Sequence, residues 1–286
     1  MPGSNTSGAP NTRDYVLGRG IVRLAQLTAA GLPDSEGFRD LGNATEFNIT
    51  VAVEDIRHQS SRSGLKITDK RCTISQEVGV SFILDEINFE NLAMFLSGSQ
   101  ELYDNAHDAT FVDAVISTAV NLGNWYQLKN ADAVQQRVYN LDAAGVVYTV
   151  EKDDVADVLL VEGVDYEIDE VMGLIRFLPT SILIADGDGA LLNLSAAATT
   201  PQDLDQVNAL AEHDVTGALL FIQENACDEG QKTEYLFHKV SVASEGDFAL
   251  IGDEFATLAF TGVAEVNSGV SDTSKVLTVR TYDQQA

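Results

Sequence analysis

Two stretches of alternation constrain this chain more than any other feature. Phe47, Ile49, Val51 and Val53 are apolar, and Asn48, Thr50, Ala52 and Glu54 occupy the positions between them. A two-residue period is that of a strand, because successive side chains of extended backbone point to opposite faces. In the second stretch Cys72, Ile74, Val78, Val80, Phe82 and Leu84 share one face, broken only by Gln76, and Thr73, Ser75, Glu77, Gly79 and Ser81 share the other. At roughly 3.3 Å per residue it would extend about 40 Å, well past the ordinary strand of about five or six residues. Such strands predict a sheet that covers a core on one side and meets water, or a channel, on the other.

Between the two strands lies Ile56 to Arg71, with Arg57, His58, Arg62, Lys66, Lys70 and Arg71 and almost no apolar side chains. A polar link this long predicts a loop that reaches away from the domain's own core. After the second strand, Phe89, Leu92, Ala93 and Leu96 follow the i, i+3, i+4, i+7 spacing of an amphipathic helix over 89–97. Asn88 is placed to cap its start and Gly98 its end, and Asp85, Glu86 and Glu90 favour its N-terminus.

The rest of the chain divides by composition. Residues 1–14 are rich in Gly, Ser, Asn, Pro and Thr without periodicity, and read as an N-terminal arm that orders only against a neighbour. Residues 15–140 form the first part of a β-sandwich, although within 101–140 Phe111, Val112, Val115 and Ile116 fit a helix while Trp125 and Tyr126 fit a strand. Residues 141–200 read as short hairpins (VVYTV, DVLLV, GVDYEID, a turn through Gly173, LIRFL, ALLNL), an acidic insertion. Residues 201–286 alternate through ALLFI, YLFHKVSV, FATLAFTGVAEV and VLTVRTY and complete the sandwich. The expected class is mainly β, antiparallel, with one flanking helix.

Charge narrows the function classes. The 286 residues carry 44 acidic against 17 basic side chains, a formal charge of -27. Phosphate affinity comes chiefly from Lys and Arg releasing counterions, so a tight DNA binder is excluded. Nine of the 17 basic residues fall in the first 80 positions, while 141–200 hold 12 acids against Lys152 and Arg176. That asymmetry fits either a solvated surface or self-association in which cations of one copy meet acids on the next. Cys72 and Cys227 are too far apart for a CxxC site, and two cysteines make no disulfide scaffold. No apolar run is long enough to span a bilayer, and the opening residues lack the pattern of a signal peptide. Assembly in a reducing cytoplasm, without a membrane, is the expectation.

No motif argues for catalysis. Gly18, Arg19 and Gly20 form a GxG without the third glycine or a βαβ context, and read as a strand-initiating turn. His58, His107, His213 and His238 are scattered, and HExxH and GxSxG are missing. Asp186-Gly187-Asp188-Gly189 resembles a fragment of a calcium loop but lacks the distal Glu, and reads as a tight turn. The adjacent pairs Asp153/Asp154 and Asp169/Glu170 face opposite sides of a strand, which separates an acid from a base. Trp125 and Tyr166 read as packing residues. No catalytic, cofactor-binding or metal-binding residue is predicted.

The order of features then carries a resemblance. YVLGRGIVRLAQL from Tyr15, FRDLGNATEFNITVAVEDIRHQSSRSGLK from Phe38, the long strand and ILDEINFENLAMFLSGS together resemble the major tail tube proteins of long-tailed, siphovirus-type bacteriophages. The likeness rests on the LGN turn at Leu41 to Asn43, the His-x-Ser-Ser segment at His58 to Ser61, and the strand followed by an ENLA helix. It covers about the first hundred residues. VEGVDYEIDEVMGLIRFL at Val161 to Leu178 is similar to a hairpin common in phage structural proteins, and FATLAFTGVAEV is compatible with the family's terminal sheet.

The resemblance implies a β-sandwich flanked by a helix, six copies of which join sheets into a hexameric β-barrel ring. Stacked rings would form a tube in the virion tail whose negatively charged lumen conducts the genome during DNA ejection. The implied partners are further copies of the chain, the tape measure protein and phage DNA in the lumen, and the tail terminator and distal tail proteins at the ends. Arg57, His58, Arg62, Lys66, Lys70 and Arg71 would make contacts between rings, and the helix with Phe89, Leu92, Ala93 and Leu96 would pack behind the barrel sheet. Two other readings stand beside it: another structural ring of a phage tail or contractile injection system, and a carbohydrate-binding β-sandwich.

Overall fold

The computed structural model describes residues 16–60, 64, 66–103, 105, 109–132, 135–154, 158–198, 203–212, 215–225, 231–271 and 273–283. The predicted N-terminal arm, residues 1–14, and Arg62 lie outside them. In chain order the first elements are β1 (Gly18–Gln26), β2 (Arg39–Asp40), β3 (Ala44–Ser60), β4 (Ile67–Leu84) and α1 (Phe89–Phe95). Then come β5 (Ser99–Tyr103), β6 (Phe111–Ser117), β7 (Trp125–Gln127), β8 (Val147–Asp153), β9 (Val158–Leu159), β10 (Tyr166–Asp169), β11 (Leu174–Phe177) and β12 (Gly189–Ala196). The chain closes with β13 (Leu204–Asn208), β14 (Val215–Asn225), β15 (Gln231–Ser244), β16 (Leu258–Ala264) and β17 (Leu277–Asp283). The protein is mainly β with one short helix, and none of its described sheets closes into a barrel.

Two compact units divide the chain, one of residues 1–100 with 207–286 and one of residues 101–206. The first is built on an antiparallel sheet in the order β2-β1-β14-β15-β16-β4-β3, with β17 also paired to β15. Alternation puts Val80, Phe82 and Leu84 of β4 on the same core as Phe237, Val240, Leu258 and Phe260. Phe82 stacks on Phe260 at 5.1 Å, and Phe47 of β3 stacks on Phe221 of β14 at 4.3 Å. Offset-stacked rings at such separations add to the area they bury.

Helix α1 covers this core, starting where the sequence places its cap: the Asn88 side chain accepts the Asn91 N–H at 2.8 Å. Its inward face differs from the predicted one. Phe89 is 46% exposed and Leu92 and Leu96 are half-buried, whereas Asn91, Met94 and Phe95 are buried along with Ala93. The reason is polar. The Asn91 amide donates to the carbonyls of Leu41 (2.8 Å) and Glu86 (3.0 Å) and accepts from Arg39, so an asparagine occupies the i position of an i, i+3, i+4 face. The helix also ends earlier than 97. Ser97 takes the left-handed conformation (φ 48°), and Gly98 is needed for space, since a Cβ there would lie 2.5 Å from the Asn208 carbonyl oxygen.

The second unit joins a four-stranded sheet, β6-β12-β8-β9, to a three-stranded one, β10-β11-β7, around Val150, Tyr166, Ile175, Phe177, Leu192 and Leu194. Its extent is wider than the 141–200 block. Phe111–Ser117 pairs with β12 and Trp125–Gln127 pairs with β11, so the stretch compatible with a helix is strand and belongs with the hairpins. Partners about 80 residues apart supply that pairing, and local periodicity cannot register them. The turn expected at Gly173 is present at φ 59°. Tyr166 is buried in this core, whereas Trp125 is half-exposed with the Arg176 guanidinium 5.2 Å over its ring. In the Asp186 to Gly189 turn the carboxylates accept the backbone N–H groups of Leu122 and Ala185.

Candidate functional site

The ladder between β3 and β4 does not stop where the sheet stops. β16 pairs with β4 only from Val78 to Leu84, while β3 follows β4 out to Ser60 opposite Ile67. Residues 52–60 and 67–77 therefore form a two-stranded arm, roughly 33 Å long at about 3.3 Å per residue. The predicted polar loop over Ile56 to Arg71 is thus corrected: most of it is the outer half of a hairpin, and every residue from Ile67 to Glu77 is exposed. Its alternation is missing because neither face packs on a core, so the backbone ladder and cross-strand polar pairs hold the arm together. The sequence signal was the turn-forming Ser60-Ser61-Arg62-Ser63-Gly64, flanked almost symmetrically by β-branched Ile56 and Ile67.

A β-bulge sets which side chains meet. Glu54 pairs with Ser75 but Asp55 pairs with Thr73, which leaves Ile74 as the extra residue of β4. Beyond it Arg71 and Thr73 take the face that Val78, Val80 and Phe82 occupy further in, until a second shift, where His58 pairs with Lys70 but Gln59 with Thr68, passes over Asp69. The single apolar face predicted from Cys72 to Leu84 is therefore broken at Ile74. Cys72 pairs with Ile56 on the opposite side.

The bulge brings Arg71 and Thr73 to Asp55, whose side chain is only 11% exposed. Arg71 Nε donates to Asp55 Oδ2 at 2.7 Å and Thr73 Oγ1 donates to Oδ1 at 2.9 Å. The Arg71 hydrogen bond is the main cause that holds the Asp55 carboxyl below its usual range, and Asp55 in turn raises Arg71. Across the ladder His58 Nδ1 lies 2.5 Å from Asp69 Oδ1.

Of the residues predicted to contact another ring, Arg57, His58, Lys66, Lys70 and Arg71 are gathered on this arm. Two are already engaged, Arg71 by Asp55 and His58 by Asp69. Arg57, Lys66 and Lys70 are exposed and make no ion pair with a described residue, although the Arg57 charge also acts on the Asp55 carboxyl that Arg71 holds. Arg57 sits directly opposite Arg71, and Lys70 opposite His58, arrangements that favour an external anion. Residues 56–71 carry a net +4, which leaves -31 on the rest of the chain. The arm also exposes Val53 (46%), Ile56 (60%), Ile67 (63%) and Ile74 (52%), an apolar component that the charge pattern had hidden. Phe89, Leu92 and Ala93 lie in α1 and Leu96 is its C-cap, away from the arm; Ala93 is buried and Leu96 packs against the core, whereas Phe89 is exposed.

Other concave surfaces have weaker claims. An open cleft of about 340 Å³ lies beside Ala30, Lys239 and Gly269, and the described residues hold no group of three His, Cys, Asp or Glu placed for a metal ion. No described helix is long and apolar enough to cross a membrane. Among curated proteins none matches the chain. The family described as Protein of unknown function UCP028589 matches residues 15–276, nearly the whole length, and the chain belongs to that family.

Proposed function

We propose that this protein is the repeating subunit of a bacteriophage tail tube. Six copies join sheet edges into a ring, rings stack through the basic arm, and the bore conducts the genome at ejection. The tape measure protein and then DNA occupy the lumen, and terminator and distal tail proteins close the ends. The observation that carries this reading is the arm. A two-stranded ribbon is marginal in water by itself, and this one has exposed isoleucines, open strand edges and a charge opposite to that of the rest of the chain. Each of those is satisfied by another copy.

The sheet of the first unit supports the same reading. Among the described residues β3 ends it on one side, paired to β4 alone, and β17 is paired to β15 alone, so each presents an outer strand edge. Addition of strands between copies removes such edges, and a head-to-tail contact repeated around an axis closes a ring. A bore lined by carboxylates repels DNA phosphates and lets the genome slide.

The test is electron microscopy of the purified full-length protein together with the triple change Arg57→Glu, Lys66→Glu and Lys70→Glu. The unaltered chain should form rings and tubes of uniform bore, and the variant should keep rings but lose stacking. A chain that stays monomeric at every concentration would refute the reading. A ring that never extends would instead favour a completion or terminator-like ring.

A further inference from the structure

The end of the sheet opposite the arm carries a complementary surface. β4 spans 18 residues from Ile67, next to the arm's tip, to Leu84, where Leu258 of β16 pairs with it. The segment 245–257, which joins β15 to β16, therefore lies at the far end of that strand, on the order of 55 Å from the tip at about 3.3 Å per residue. Phe248 anchors the segment by packing on Phe95 at 6.0 Å. Beyond it Leu250 is 82% exposed, Ile251 97% and Phe255 96%. Single exposed apolar residues are ordinary, but three large ones almost wholly in water within six positions form a patch that a partner would cover. Asp247, Asp253 and Glu254, all exposed, surround them.

Resting on the tube reading above, we infer that the loop 246–257 of one copy is the acceptor for the arm of the next, with Leu250, Ile251 and Phe255 covering the arm's isoleucines and Asp247, Asp253 and Glu254 meeting Arg57, Lys66 and Lys70. The occupant is a second copy of this chain because the two surfaces match in both respects. One is apolar with cations, and the other is apolar with acids. Their placement at opposite ends of one unit matters as much as their chemistry. A molecule with donor and acceptor at opposite ends associates head to tail and leaves one of each unsatisfied after every addition, which is the condition for open growth along the strand direction. Potentials of opposite sign also orient the encounter, while the acidic remainder of the surface disfavours other approaches.

Two charge-reversed full-length chains test this. The arm variant carries Arg57→Glu, Lys66→Glu and Lys70→Glu, and the loop variant carries Asp247→Lys, Asp253→Lys and Glu254→Lys. Each alone should raise the concentration needed for sedimentable polymer by about tenfold or more, with an unchanged circular dichroism spectrum showing that it folds. Mixed in equal amounts they should polymerise again, since each reversed surface then meets its opposite. Phe255→Ser, with no charge change, should weaken polymerisation without altering its salt dependence. If the arm variant fails to polymerise and the mixture does not recover, the acceptor assignment is overturned while the tube reading stands. If the loop variant polymerises as the unaltered chain does, the assignment is likewise overturned. If the unaltered chain never polymerises, the tube reading fails and takes this inference with it.

Discussion

Amide exchange along the arm offers a quantitative test of the idea that it is completed by association. The amides of Val80 to Leu84 lie in a strand paired on both sides and packed on the core, so they open only with the unit as a whole. A global stability of about 5–15 kcal/mol corresponds to protection of roughly 10⁴-fold or more. The amides of residues 52–60 and 67–77 have one partner strand and no buried face, and a ribbon of that kind should open at a cost of about 0–2 kcal/mol, or protection below roughly 30-fold. Covering the arm changes this. Burying a side chain such as Ile or Val is worth about 1.5–3 kcal/mol, and Val53, Ile56, Ile67 and Ile74 are each about half exposed. Roughly half of that value for four side chains gives about 3–6 kcal/mol, which should slow arm exchange by about 10² to 10⁴-fold on assembly. Hydrogen–deuterium exchange read by mass spectrometry, on dilute monomer and on sedimented polymer, measures both states. An arm already as protected in the monomer as Val80 to Leu84, or one that gains nothing in the polymer, would refute the reasoning.

Three further outcomes follow from particular contacts. Asn91→Leu strands the carbonyls of Leu41 and Glu86 and leaves Arg39 with only its ion pair to Glu90, and should lower unfolding stability by about 2–4 kcal/mol in urea titration; a loss below about 0.5 kcal/mol would contradict the role given to that amide. Gly173→Ala demands a left-handed residue whose Cβ would lie 1.8 Å from the Val138 carbonyl oxygen, so exchange protection of Leu174 to Phe177 should collapse while that of Val80 to Leu84 is kept. Hydrogen bonds from Lys152 and Lys239 hold the carboxyls of Asp188 and Glu265 below their usual range. A carboxyl depressed in the folded state binds fewer protons there than in the unfolded chain, so its contribution is complete above pH about 4.5 and is lost as pH falls through the folded value. Lys239→Met should accordingly flatten the dependence of the urea midpoint on pH below about 4.5, and an unchanged slope would count against it.

Legibility followed burial. Where one face of a strand meets a core, as from Val78 to Leu84 and at Phe47 and Ile49, apolar residues recur every second position and the strand can be read directly. Asn88 and Gly173 were legible for a local reason, since a cap and a left-handed turn each depend on one residue's own chemistry. The outer part of the arm, residues 56–71, was not legible as strand because its polar composition matches its solvent exposure on both faces and carries no period. Its cations were legible as an interaction surface for the same reason, being too numerous for a core. The bulge at Ile74 was hidden because the alternation resumes in phase with a gap at Gln76, which imitates an unbroken face. The inward turn of Asn91 was hidden because its partners, Leu41 and Glu86, are backbone carbonyls that no side-chain pattern records.

The charge distribution bears on assembly in a way that its total does not. A chain with -31 outside residues 56–71 repels its own copies in most orientations, and that repulsion limits indiscriminate sticking of exposed edges such as β3 and β17. A short positive segment reverses the sign locally, so the orientations that bring the arm onto acids are favoured against a repulsive background. Discrimination of this kind depends on both signs, and salt weakens both together within a Debye length of about 8 Å at physiological ionic strength. The isoleucines of the arm and the apolar residues of the 246–257 loop are insensitive to that screening and supply affinity once the orientation is set. Division of labour between charge for direction and apolar area for hold explains why the arm combines Arg57, Lys66 and Lys70 with Ile56, Ile67 and Ile74, a mixture that neither a solvated loop nor a core strand requires.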